Sequence, residues 1–327
     1  MQDFFNLIRW KNLVFLALVM WMLQRLVIIP LMIGYGFEPA DMLHGMLLAV
    51  IIIATVLIAA GGYVINDYFD VKIDAINNPD NQIVSKTITR EQAMRIYQIL
   101  TVSGVAVGIY SAVMLKSWSI GLLMVFMPGL LWFYSSSYKR MLIVGNLIVA
   151  LSAALVPILL AMADIAYIEL TYTEDLLYQT PIIPMIYKWL SVFALFAFLL
   201  TFSREIVKDL EDQVGDRELE CHTIPVVLGE TWSKVIVILL MLFTIGLLGM
   251  AYMQWIPFDK GWASANMNYM LCYVVLWVIA IVIFLRSHRA SDYAVSSSML
   301  KILMGWGMIY TLVFYIQECQ LYDRIIF

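Results

Sequence analysis

The sequence predicts an all-α integral membrane protein with nine transmembrane helices. Three observations carry that expectation. Of 327 residues, 63% are hydrophobic and only 13% are charged, against roughly 25% charged in a soluble domain. Apolar runs recur nine times, at about 12–33, 43–66, 91–115, 118–137, 141–163, 186–206, 232–255, 268–286 and 297–319, each close to the roughly 20 residues that cross a hydrocarbon core. Fifteen Lys and Arg fall on one side of these runs and four (Lys116, Lys188, Lys260 and Arg324) on the other. The positive-inside rule therefore places the amino terminus in the cytoplasm and the carboxyl terminus outside. The expected location is the inner or plasma membrane of the cell, with residues 1–327 forming a single membrane-embedded domain.

The first run follows a short amphipathic start containing Arg9 and Lys11 and has no small-residue cleavage site, so it reads as a retained span. Gln24 and Arg25 interrupt it. A cation there either snorkels or pairs within the bundle, or serves function. The second run contains Gly61-Gly62, which reads as a close helix contact rather than a phosphate loop. Only Lys116-Ser-Trp-Ser119 divides the third run from the fourth. An acidic, aromatic outer loop at about 164–185, with Pro181 and Pro184, follows the fifth and suggests no function. Cys221, Cys272 and Cys319 are scattered and read as free thiols. With no Cys/His ligand pattern, zinc is not expected, and oxygen ligands favour magnesium or a similar hard cation.

The most informative stretch closes the second run. Asp67, Asp70 and Asp74 stand at i, i+3 and i+7, within roughly 60° of one another on a helix, and Asn66 lies beside them. Three carboxylates on one face repel, so they need a cation or must take up protons. Asp209, Asp212 and Asp216 repeat the spacing after the sixth run. Both stripes close even-numbered spans and so emerge on the cytoplasmic face. Together they predict a divalent-cation site made by two helices. The connections at about 67–90 and 207–231 are the longest on that side and polar enough to form a lid over a membrane-embedded cavity.

Magnesium typically takes one or two protein carboxylates together with phosphate oxygens, so two such stripes can grip a diphosphate. Lys72, Lys139, Arg140, Arg204 and Lys208 lie near in sequence or on the same face and can neutralise a leaving diphosphate. The greasy bundle suits a long hydrocarbon chain. Tyr63, Tyr68, Phe69, Tyr134 or Tyr138 can shield an allylic cation with their ring faces. For Arg140 the reading is a positive-inside anchor, and His222 reads as structural. Glu205 and Glu211 read as facing away from the stripe or as salt-bridging within the cap.

Several passages resemble the signatures of the UbiA superfamily of intramembrane prenyltransferases. Asn66-Asp67-x-x-Asp70-x-x-x-Asp74 followed by Asn78-Pro79-Asp80 resembles the first signature. Tyr134-Ser-Ser-Ser-Tyr-Lys139 followed by Gly145-Asn146 resembles the middle one. Arg204 to Asp216, then Thr223-Ile-Pro225 and Gly229, resembles the second aspartate motif, and Arg9 and Asn12 match the family's amino-terminal pair. The wording is most similar to the digeranylgeranylglyceryl phosphate synthase branch. One departure is clear: where that family has an Arg-Pro-x-Arg-Pro-type stretch, this chain has Asn77 to Ser85, without arginine at Asn78 and Asn81. That leaves extra diphosphate grip to Lys72, Lys86 or Arg90.

The resemblance implies a bundle of nine helices around a central cavity, with a cytoplasmic cap formed by the loops after helices 2 and 6. It implies Mg2+-dependent transfer of a prenyl group, geranylgeranyl, from its diphosphate to a lipophilic acceptor, geranylgeranylglyceryl phosphate. Asn66, Asp67, Asp70, Asp74, Asp209, Asp212 and Asp216 are then the metal set, and Lys139, Arg204, Lys208 and Lys72 hold diphosphate. Asn12, Arg9, Tyr134, Tyr138 and Asn146 line the acceptor or the cavity. The expected partners are the prenyl diphosphate, the acceptor and membrane lipid, with no nucleic acid. An aromatic-acid prenyltransferase of quinone biosynthesis is the enzymatic alternative. A CDP-alcohol phosphotransferase would need Asp-Gly and Ala-Arg pairs that neither stripe has. A cation transporter would need carboxylates deep in several spans and on both sides of the midplane, whereas these cluster at one face.

Overall fold

The computed structural model describes residues 2–37, 42–77, 79–255 and 263–321. Asn78, Lys260 and Arg324 therefore lie outside the described residues, as do the side chains of Asn81 and Cys319. The described residues are helical almost throughout, and their one β feature is an isolated bridge between Val84 and Ile88. Among the described residues, nine helical segments are long and apolar enough to cross a membrane. The protein is an all-α membrane protein.

The chain divides into two compact units. The first comprises Met1–Arg140 and Leu155–Ser191, the second Met141–Ala154 and Val192–Phe327. In the first unit, α1 (Gln2–Leu7) leads into α2 (Trp10–Leu23), a π-helical turn over Gln24–Ile28, and α3 (Ile29–Gly34). Pro30 explains the π-turn. It has no N–H for the Leu26 carbonyl, and the Ile29 N–H bonds the Gln24 carbonyl five residues back, so the widened register carries the helix past the proline. Gln24 is fully buried, while the Arg25 side chain is exposed and reaches beside Gly45.

The long α4 (Met42–Phe69) packs against α6 (Arg90–Met114) and α7 (Trp118–Ser136), with α5 (Val71–Asn77) between. Glycines permit that approach. A Cβ on Gly61 would stand 2.6 Å from the Thr101 hydroxyl, and one on Gly62 would stand 2.8 Å from Leu131. The pair is a helix contact. A capping box starts α6, in which the Thr89 hydroxyl accepts from the Gln92 N–H and the Gln92 side chain accepts from the Thr89 N–H.

The outer loop expected over 164–185 is mostly helix. In the structure α8 (Val144–Thr171) continues through Asp164, whose side chain is buried at 3% exposure, and α9 (Glu174–Gln179) precedes α10 (Ile182–Glu211). A buried acid within an apolar helix does not end it, so charge misplaced that boundary. The unit divide falls inside α8 and α10.

The second unit continues with α11 (Gln213–Glu218), α12 (Ile224–Trp255), α13 (Ala263–Arg286) and α14 (Ala290–Leu321). Gly229, at φ 80° and ψ 167°, breaks α12 near its start, a conformation open to glycine at little cost. Trp277, Tyr273, Phe284 and Tyr293 form the heart of its core. Cys221 and Cys272 are free thiols.

Candidate functional site

Neither stripe is one straight helix. The first crosses a junction: Asp67 closes α4, Asp70 stands at the turn and Asp74 belongs to α5. The second does the same, with Asp209 in α10, Asp212 at the bend (φ −91°, ψ 3°) and Asp216 in α11. Aspartate competes with the helical backbone for its own hydrogen bonds and favours such breaks. The i→i−4 bonds nevertheless continue, from Asp70 to Asn66, Asp74 to Asp70, Asp212 to Lys208 and Asp216 to Asp212. Helical phase is kept across each break.

In the first unit the stripe is met by cations. The Arg9 guanidinium donates to Asp67 at 2.9 Å and lies over the Tyr63 ring, 5.0 Å from its centroid. Arg9 itself adopts the left-handed conformation (φ 52°, ψ 51°) between α1 and α2, which costs energy for a side chain with a Cβ. The Asn12 amide donates to the Tyr63 hydroxyl at 3.4 Å. Asp70, only 7% exposed, accepts from the Asn66 amide at 2.7 Å and from the Lys139 ammonium. Burial, with the Asp70 carboxylate adding to it, pushes the Asp74 carboxyl up to about 7.

The remaining predicted residues of this unit are less engaged. Lys72 is exposed and forms no ion pair among the described residues. Lys86 donates to the Pro79 carbonyl, and Arg90 lies over the Tyr68 ring. Tyr138 packs on Phe133 with centroids 6.2 Å apart, and Tyr134 is half-buried.

In the second unit two of the stripe's aspartates are met by neutral donors. The Asn146 amide donates to Asp209 at 2.7 Å, and the Thr223 hydroxyl donates to Asp216 at 3.0 Å. The nearby cations are held by Glu205, which is 8% exposed. Arg204 Nη1 meets its Oε1 at 2.9 Å and Lys208 Nζ its Oε2 at 3.7 Å. Arg204 Nε is buried without an acceptor, a donor left over for an incoming anion.

Thr223 is the residue whose part sequence reasoning missed, and its hydroxyl fixes Asp216. Of the two alternatives the sequence leaves for Glu205, the structure has the salt-bridged one: it is the buried clamp on both cations. A Glu one residue after Arg204 and three before Lys208 was the available signal.

No three Asp, Glu, His or Cys side chains among the described residues stand close enough to hold a metal ion by themselves. The donors that are present are carboxylate and amide oxygens, in sets of one or two within reach of basic groups. That composition fits a hard cation that keeps water and substrate oxygens in its shell.

The chain is similar to several known proteins. The profile of the UbiA prenyltransferase family matches residues 27–295. The digeranylgeranylglyceryl phosphate synthase of Saccharolobus solfataricus is 34% identical over 206 residues, covering 62% of this chain and 64% of the relative, slightly under two thirds of its length. The synthase of the same name from Sulfurisphaera tokodaii is 31% identical over 263 residues, covering 79% and 81%. The structure of a UbiA homolog from Archaeoglobus fulgidus bound to GPP and Mg2+ superposes with a TM-score of 0.55 at 15% identity, covering 93% of this chain and 98% of the other.

Proposed function

The chain belongs to the UbiA prenyltransferase family, and from that premise we propose that it transfers a geranylgeranyl group from its diphosphate to geranylgeranylglyceryl phosphate in an Mg2+-dependent reaction. The acceptor assignment rests on the synthase relatives, and the Mg2+ assignment is supported by the homolog bound to GPP and Mg2+. The observation that carries the reading is the charge arrangement. Aspartates on repeated junctions pair with Arg9 and Lys139 in one unit, and in the other they follow Arg204 and Lys208 along the same helix end, where Glu205 holds both cations.

In this reading Asn66, Asp67, Asp70 and Asp74 of the first stripe and Asp209, Asp212 and Asp216 of the second hold Mg2+. When bound, the ion withdraws charge from the leaving diphosphate. Lys139, Arg204, Lys208 and Lys72 bind diphosphate oxygens, and Arg204 offers its unpaired Nε. Arg9 and Asn146 orient Asp67 and Asp209 through the bonds described above. Asn12, Tyr63, Tyr134 and Tyr138 face the organic part of the substrates, where ring faces favour a developing allylic cation. In the same reading the amino terminus lies in the cytoplasm.

The test is prenyl transfer by purified protein from radiolabelled geranylgeranyl diphosphate with Mg2+, offering geranylgeranylglyceryl phosphate, hydroxybenzoate or naphthoate acids. Product with the glycerol lipid alone is expected. Product only with the aromatic acids would overturn the acceptor assignment and keep the reaction class.

A further inference from the structure

A groove of about 560 Å3 in the first unit is lined by Tyr68, Arg90, Glu91, Met94 and Arg95. Tyr68 is next to last in the span Gly45–Phe69, and Arg90 opens the span Arg90–Met114. The groove therefore lies where two helices leave the hydrocarbon, at headgroup depth. Arg90 is fixed there by stacking on Tyr68, with its guanidinium carbon 4.5 Å from the ring centroid. Arg95 is exposed five residues further along the same helix, within its charged opening segment. An exposed cation at the polar end of such a helix can meet an anion at the membrane surface.

Below Arg95 the same helix face continues as exposed hydrocarbon. Ile99 and Val102 are 66% and 67% exposed, and Ile109 and Val113 extend the stripe, at +4, +7, +14 and +18 from Arg95 on one helical face. Two guanidiniums and the Glu91 carboxylate give the groove a formal charge of +1, which matches a singly charged phosphodiester better than a diphosphate. We propose that this groove binds an anionic membrane lipid, with its phosphate on Arg90 and Arg95 and its hydrocarbon chain along Ile99 and Val102. The groove includes Tyr68, next to Asp67 in sequence, but none of the stripe aspartates lines it, and the proposal does not depend on the catalytic reading.

Native mass spectrometry of the full chain in detergent, titrated with phosphatidylglycerol, phosphatidylcholine or inorganic phosphate, tests it. Phosphatidylglycerol is expected to bind several-fold tighter than phosphatidylcholine. Arg95→Gln should weaken it by about fivefold, a typical worth of one basic residue at a membrane surface. Arg140→Gln, at another exposed arginine of the same unit, should leave it unchanged. Arg90→Gln also removes the stack on Tyr68, so the exposed Arg95 is the decisive position. Unchanged phosphatidylglycerol affinity in Arg95→Gln, or an equal loss in Arg140→Gln, would overturn the proposal. Inorganic phosphate binding with the same dependence on Arg95 would overturn the lipid assignment.

Discussion

The two aspartate stripes share a spacing and a backbone break but solve their charge problem differently. In the first unit Asp67 and Asp70 are met directly by Arg9 and Lys139. In the second, Asp209 and Asp216 receive hydrogen bonds from the neutral Asn146 and Thr223, while Glu205 takes Arg204 and Lys208. Repeated spacing therefore does not mean repeated electrostatics. A cation binding the first stripe competes with two side-chain cations, whereas at the second it meets carboxylates already oriented by neutral donors.

If both stripes serve one reaction, the largest effect comes from removing a carboxylate from either. Asp67→Ala and Asp209→Ala should each lower kcat/KM by roughly 100-fold or more, on the scale of losing one strong charge-stabilising group. Steady-state prenyl transfer checks this, and a near-normal Asp209→Ala would break the parallel between the stripes.

The next effect separates them by stability. Lys139→Ala leaves the buried Asp70 without its cation and should destabilise the metal-free protein by about 1–3 kcal/mol, reduced from a fully buried pair because Lys139 is partly exposed. Asn146→Ala removes a neutral bond to a carboxylate and should cost about 1 kcal/mol. Thermal unfolding in detergent ranks the two, and the opposite order would contradict the contrast drawn here.

Glu205→Gln sharpens the comparison on the cation side. Losing the carboxylate that clamps Arg204 and Lys208 should raise KM for the prenyl diphosphate several-fold with kcat little changed. A lowered KM would make Glu205 a competitor of the diphosphate instead of a support for its binders.

The last effect is a pH dependence. Because the Asp74 carboxyl is raised to about 7, the folded protein holds its proton more tightly than the unfolded chain does. Metal-free stability should therefore fall as pH rises from about 4 to about 7 and level off above. Asp74→Asn should flatten that slope, as followed by unfolding at pH 5 and pH 8.

Much of this was legible in the sequence, for physical reasons. Nine spans follow from run length and apolarity alone, and Gly61-Gly62 announced a helix contact because only small residues allow backbones so close. The aspartate spacing marked both candidate halves. The carboxyl-terminal end of α8 was not legible, because a carboxylate in a sequence does not say whether it will be buried, as Asp164 is. Nor were the breaks at Asp70 and Asp212, since helical spacing persists through them. The pairing of Glu205 depended on side-chain direction, which spacing leaves open: an acid beside Arg204 and near Lys208 can turn outward or clamp them.

The most direct test of a shared Mg2+-dependent role is an Mg2+ titration of prenyl transfer in the parent protein, Asp67→Asn, Asp209→Asn and the double variant. If both stripes serve the same ions, each single change weakens the apparent Mg2+ affinity, and the double variant is less impaired than the product of the two. If one stripe leaves the Mg2+ dependence untouched, or the two effects multiply as independent sites do, the stripes are not parts of one centre.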